Sequence, residues 1–162
     1  MSKLVSACLL PLVFVIPTVL AQDSAAETKV LEDYFKVVKG DLTAKRDSAL
    51  RTLVQLSEDE AKAFWPLVET YDDEMAQQRK QRRAVIEEFL GVYDKLTPEQ
   101  AQKLADRALD LDVARNEVRR KYFKLMAREV SPVVAAQFLQ LQGQFETMGD
   151  LKLAAAMPLA TR

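Results

Sequence analysis

The sequence predicts an all-α protein: a long antiparallel helical hairpin with additional N- and C-terminal helices, four helices in total. Three observations predict it. Beyond residue 21 the chain has only glycines 40, 91, 143 and 149 and is rich in Ala, Leu, Gln, Glu, Lys and Arg, all good helix formers. No stretch alternates apolar and polar residues long enough to suggest a strand. The phrase "LSEDEA" at Leu56–Ala61 is echoed by "LTPEQA" at Leu96–Ala101, and both read as helix starts.

The first 21 residues stand apart. Lys3 is the only charge before Asp23, Leu4–Leu20 is almost wholly apolar, and "TVLA" puts Val19 and Ala21 at the small positions of a signal-peptidase site. A basic start, an apolar middle and a small-residue exit read as a secretory signal over residues 1–21, cleaved before Gln22. Residues 22–162 are then one all-helical domain, exported to the periplasm, with no integral membrane segment after cleavage. Cys8, the only cysteine, leaves with the signal, so the domain must hold together by packing alone.

The first helix is expected over about residues 25–55, with a bend or split at Lys39–Asp41. The second, over about 58–93, opens with a capping box: Ser57 accepts from the backbone of Glu60, and Glu60 reaches back to Ser57. Pro66 should kink or break it by removing one hydrogen bond. In the third, over about 98–129, Thr97 caps, Pro98 takes the first helical position and Gln100 plays the part of Glu60. Leu56 and Leu96 sit where a hydrophobic staple fixes the approach of the chain. The fourth, over about 132–155, starts from Ser131 and Pro132 without the acidic partner. At ~1.5 Å per residue the two middle helices are each on the order of 50 Å long, and the short Tyr93–Thr97 link folds them into a hairpin.

Apolar seams support this layout and give it a coiled-coil character. Leu104, Leu111, Val118 and Leu125 recur at heptad spacing in the third helix. Phe64, Val68, Tyr71, Met75, Val85, Phe89 and Val92 mark the second, and Phe138, Leu141, Phe145 and Met148 the fourth. Gln78 and Arg82 interrupt one arm of the hairpin and Arg115 the other, which predicts an opening or thin waist. Symmetric pairing about the turn places residue 79 level with 112 and 72 level with 119, setting the basic run of each arm beside acids of the other.

Several chemistries are excluded by composition. With no histidine in the chain, Ser-His-Asp and Cys-His catalysis and Glu-x-x-His metal pairs have no basis. No Gly-rich phosphate loop exists, and the carboxylates at Glu69–Glu74 and Asp106–Asp112 lack the loop and glycine of a calcium site. The reading is a protein with no catalytic residues, no metal and no cofactor. With 23 Lys+Arg against 24 Asp+Glu, the charge balance does not suit nucleic acid.

An exported, histidine-free helical chain with Leu56, Ser57 and Glu60 in one motif and Leu96, Thr97 and Gln100 in the next resembles the Spy/CpxP-type periplasmic proteins. Their signature is a twice-used Leu-Thr-x-x-Gln motif; the second copy here matches in full, while Ser57 and Glu60 depart from it in the first. The resemblance implies a thin, cradle-shaped antiparallel homodimer of bent hairpins. It also implies ATP-independent chaperone-like binding of unfolded or envelope proteins, or, alternatively, an envelope-stress regulatory module binding one folded periplasmic partner. Candidate client-facing residues are then Phe64, Trp65, Met75, Phe123, Met126 and Phe138. A third reading has the "LKLAAAMPL" tail (Leu151–Leu159) as a peripheral membrane contact, although it lacks the charged face such helices use.

Overall fold

The computed structural model describes residues 39–160. Among them it has four helices and no strand: α1 (Lys39–Leu53), α2 (Glu58–Leu90), α3 (Pro98–Glu129) and α4 (Pro132–Ala156). The all-helical, four-helix architecture is therefore as the sequence predicts. The expected helical stretch 25–38 and the signal segment lie outside the described residues.

The helix starts are the ones written in the sequence. Ser57 Oγ accepts from Glu60 N at 3.3 Å while Glu60 Oε2 accepts from Ser57 N at 2.9 Å. Thr97 and Gln100 repeat the exchange at 3.2 and 3.0 Å. The backbone hydrogen bond to Ser57 leads in holding the Glu60 carboxyl below its usual range. Ser131 caps α4 by accepting from Val134 N at 3.1 Å, and Pro132 follows at the first turn. Because α2 and α3 are antiparallel, the repeated phrase stands at opposite ends of the hairpin.

Two expectations about the course of α2 and the register of the hairpin need correction. α2 does not break at Pro66 but runs through it, and Thr70 Oγ1 donates to the Pro66 carbonyl at 3.0 Å. The hairpin register is also displaced: Glu74 meets Lys121 and Tyr122, and Glu88 meets Arg107, about one helical turn from the symmetric pairing. The cause lies in the link. The chain goes on winding past Leu90, with Val92 N bonded to Phe89 O and Lys95 N to Val92 O, so the reversal falls later, near Thr97.

α2 packs on α3, α3 on α4 and α4 on α1. The main core joins Phe64, Val68, Tyr71 and Met75 of α2 to Tyr122 and Met126 of α3, Val134, Ala135 and Phe138 of α4, and Leu50 and Val54 at the end of α1. Edge-to-face rings bind it: Phe64 to Phe138 at 5.9 Å, Tyr71 to Phe138 at 5.1 Å and Tyr71 to Tyr122 at 5.4 Å. A second, smaller cluster near the hairpin tip holds Ile86 and Leu153 with Leu90 and Met157 beside them. On α4 the buried residues are Val134, Ala135, Phe138, Gln142 and Leu153; of the expected seam Phe138 is buried and Leu141 packs against the core, while Met148 is 41 % exposed. No helix among the described residues is long and apolar enough to cross a membrane.

Candidate functional site: an ionic belt under an open groove

Between the two apolar clusters lies the polar gap that Gln78, Arg82 and Arg115 announce in the sequence. It is filled rather than open. The filling comes from α4, where Glu146 and Asp150 stand one turn apart on one face, opposite Arg115 and Arg119 at the same spacing on α3. Asp150 Oδ1 accepts from Arg82 Nη1 and Oδ2 from Arg115 Nη1, both at 2.9 Å. Glu146 Oε1 accepts from the Tyr71 hydroxyl and from Gln142 Nε2, both at 3.0 Å. Gln142 Oε1 in turn accepts from Arg46 Nη1 at 3.2 Å.

Arg46 is the deepest charge in the described structure, 5 % exposed. Its guanidinium donates from Nη2 to Asp72 Oδ2 and to Asp47 Oδ1, both at 2.6 Å. Burial by itself pulls its pKa down, but the bonds to Asp72 and Asp47 outweigh that and leave it raised. Arg115 shows the same contest, burial against Asp150, with the same outcome. Arg79, an exposed residue, makes a long bond to the Asp72 carbonyl at 3.4 Å, and partial desolvation of its guanidinium lowers its pKa. Burial, followed by the Glu146 carboxylate, raises the Tyr71 hydroxyl. The basic runs are thus answered chiefly by Asp150 and Glu146 of α4, not by the opposite arm of the hairpin as the sequence suggests. Lys121 with Glu74 and Arg107 with Glu88 are the pairs that do cross between the arms.

Above the belt α3 and α4 part on the solvent side and leave an open groove of about 900 Å³. Arg115, Arg119 and Phe123 line it from α3, and Leu139, Gly143 and Met148 from α4. Gly143 lies close under Arg119: a Cβ there would come within 3.2 Å of Arg119 Nη2, so the guanidinium would have to shift by a few tenths of an ångström. The groove therefore offers apolar walls over a floor of fixed charges, an arrangement that can hold another molecule's side chains and register their charge.

The six candidate client-facing residues gather in one place, but most face inward. Phe64, Met75, Met126 and Phe138 are at most 2 % exposed and form the main core. The reason is that α1 and α4 cover the hairpin face that two helices alone would leave bare. Trp65 keeps partial exposure with Arg51 stacked on its ring at 4.2 Å, and Phe123 lines the groove. Arg46, Gln142, Glu146 and Asp150 do not stand out in the sequence, whereas residue 119 falls in a basic run but meets Glu146 rather than residue 72. The paired spacing of Arg115 with Arg119 and of Glu146 with Asp150 was the available signal. No family model, curated protein or solved structure matches this chain.

Proposed function

We propose that the protein is a non-enzymatic, ATP-independent, chaperone-like binding protein of the periplasm, which holds segments of other proteins in the α3/α4 groove. The observation that carries this reading is the open groove, with Phe123, Leu139 and Met148 accessible above Arg115 and Arg119. The signal-like segment 1–21 and the two capping motifs of Spy/CpxP type support the compartment and the class. The belt carboxylates are tied to arginines, Asp150 to Arg82 and Arg115 and Glu146 across from Arg119, and this charged floor suits reversible binding.

The test is aggregation of an unfolding client with the exported chain in several-fold excess and no nucleotide. Suppression is the expected result, and its absence overturns the reading. A second reading, a module for one folded partner, is favoured by the depth at which Phe64, Met75, Met126 and Phe138 are buried, since little apolar surface is left for varied clients. Crosslinking in the cell separates the two: a spectrum of partners supports the chaperone, and a single stoichiometric partner supports the module.

A further inference from the structure

The groove has an under-coordinated cation at its middle. Arg115 meets Asp150 and Arg119 meets Glu146, so α3 and α4 run antiparallel at a fixed level. From Ala136 to Asp150 the lining of α4 extends ~21 Å at ~1.5 Å per residue, with Gly143 and the Arg119 group over it near the midpoint. A guanidinium presents five N–H donors. Arg119 uses them poorly: Nε is buried without a hydrogen-bond partner, 3.7 Å from Glu146 Oε2, while Nη1 reaches Asn116 Oδ1 only at 3.4 Å. Glu146 does not turn toward it because Tyr71 and Gln142 hold its other oxygen. Arg115 also leaves its Nε without a partner, but its Nη groups have Asp150 at 2.9 Å and Asp112 at 3.3 Å. Arg82, Arg115 and Arg119 together face two α4 carboxylates, Glu146 and Asp150, and Asp112 sits half-exposed outside them.

We propose that the groove receives an extended protein segment whose acidic side chain binds Arg119, with apolar neighbours on Phe123 and Leu139 to one side and on Met148 to the other. This rests on the binding function proposed above and names the chemistry it selects. At ~3.3 Å per residue, a ~21 Å groove holds about six residues of extended chain. A terminal carboxylate on a centrally placed arginine leaves half of that length empty, so the acid belongs to a side chain within the segment. A carboxylate in the groove can take the Nη donors of Arg119, whose side chain is 27 % exposed there, as a charge-assisted pair, while Nε stays buried.

The experiment measures fluorescence anisotropy of capped, labelled nonapeptides with leucine flanks and a central aspartate, against twins with asparagine at that position. The full exported chain should bind the aspartate peptide about tenfold more tightly, the size expected for one charge-assisted contact. In Arg119→Gln the preference should fall below about twofold, and Arg119→Lys, which keeps the charge without the fork, should restore part of it. Equal binding of the twins by the unaltered chain overturns the proposal without needing a variant, and a preference that survives Arg119→Gln overturns the assignment to Arg119. An asparagine peptide with a free C-terminal carboxylate that binds as tightly as the aspartate peptide overturns the side-chain source. If neither peptide binds while the chain still suppresses aggregation, this inference falls and the binding function stands. If suppression is absent as well, both fall.

Discussion

The hydroxyl of Tyr71 on α2 donates to Glu146 Oε1 on α4 at 3.0 Å, in a region where the tyrosine ring is fully buried. Burial and then the neighbouring carboxylate raise the Tyr71 pKa above its ordinary value of 10.0. Below that pH both the folded and unfolded chains keep the proton, and the contribution to stability is fully present. Above it the unfolded chain ionises first, so stability falls as pH rises toward the folded value.

Tyr71→Phe removes the donor while keeping the ring contacts with Tyr122 and Phe138. At neutral pH it should cost about 1.5 kcal/mol, the usual size for a hydrogen bond to a charged group. The variant should also lose part of the alkaline decline, leaving the share due to Tyr122, whose pKa burial also raises. Urea midpoints from pH 8 to pH 11 check both effects.

Asp72→Ala strands the Arg46 guanidinium, whose side chain is only 6 % exposed, with Asp47 as its remaining carboxylate. Removing one partner of a buried pair is costly, and a loss of about 3 kcal/mol is expected. Replacing both groups with Arg46→Met and Asp72→Leu should recover most of it, because apolar packing substitutes well for a buried ion pair. Chemical denaturation of the single and double variants measures the difference.

Thr97→Ala breaks the second capping box at its hydroxyl and should destabilise the protein by about 1 kcal/mol. Thr97→Asp should restore the cap and favour the positive end of the α3 dipole. Hydrogen exchange should show the loss first in amides 99–101, which depend on that turn.

Phe138→Ala and Phe123→Ala should part company. Phe138 is 1 % exposed and touches both Phe64 and Tyr71, so its truncation should cost on the order of 4 kcal/mol. Phe123 lines the groove with partial exposure, so its truncation should cost about 1 kcal/mol or less and weaken client binding instead. Thermal unfolding and aggregation suppression on the same samples separate the two outcomes.

The parts legible in the sequence were those decided within one or two turns of chain. Ser57 with Glu60 and Thr97 with Gln100 form their boxes where the letters place them, since every partner is three residues away. The polar break at Gln78, Arg82 and Arg115 was equally visible, but its meaning depends on Asp150, which lies 68 residues from Arg82 and 35 from Arg115. Local pattern shows that a charge interrupts an apolar seam and not which distant group answers it. The same limit applied to Phe64 and Phe138. Their apolarity was plain, while the cover that turns them inward comes from α1 and α4.

The double grip on Asp150 has one more consequence, for how the rods can slide. Leucines and methionines tolerate an axial slip, because one greasy contact is much like the next. Two guanidinium groups meeting the opposite oxygens of one carboxylate do not: a one-turn displacement of α4, about 5.4 Å, unmakes both bonds together and strands the charges against a half-buried wall. Asp150 thus works as a detent, fixing the stagger that keeps Gly143 beneath Arg119.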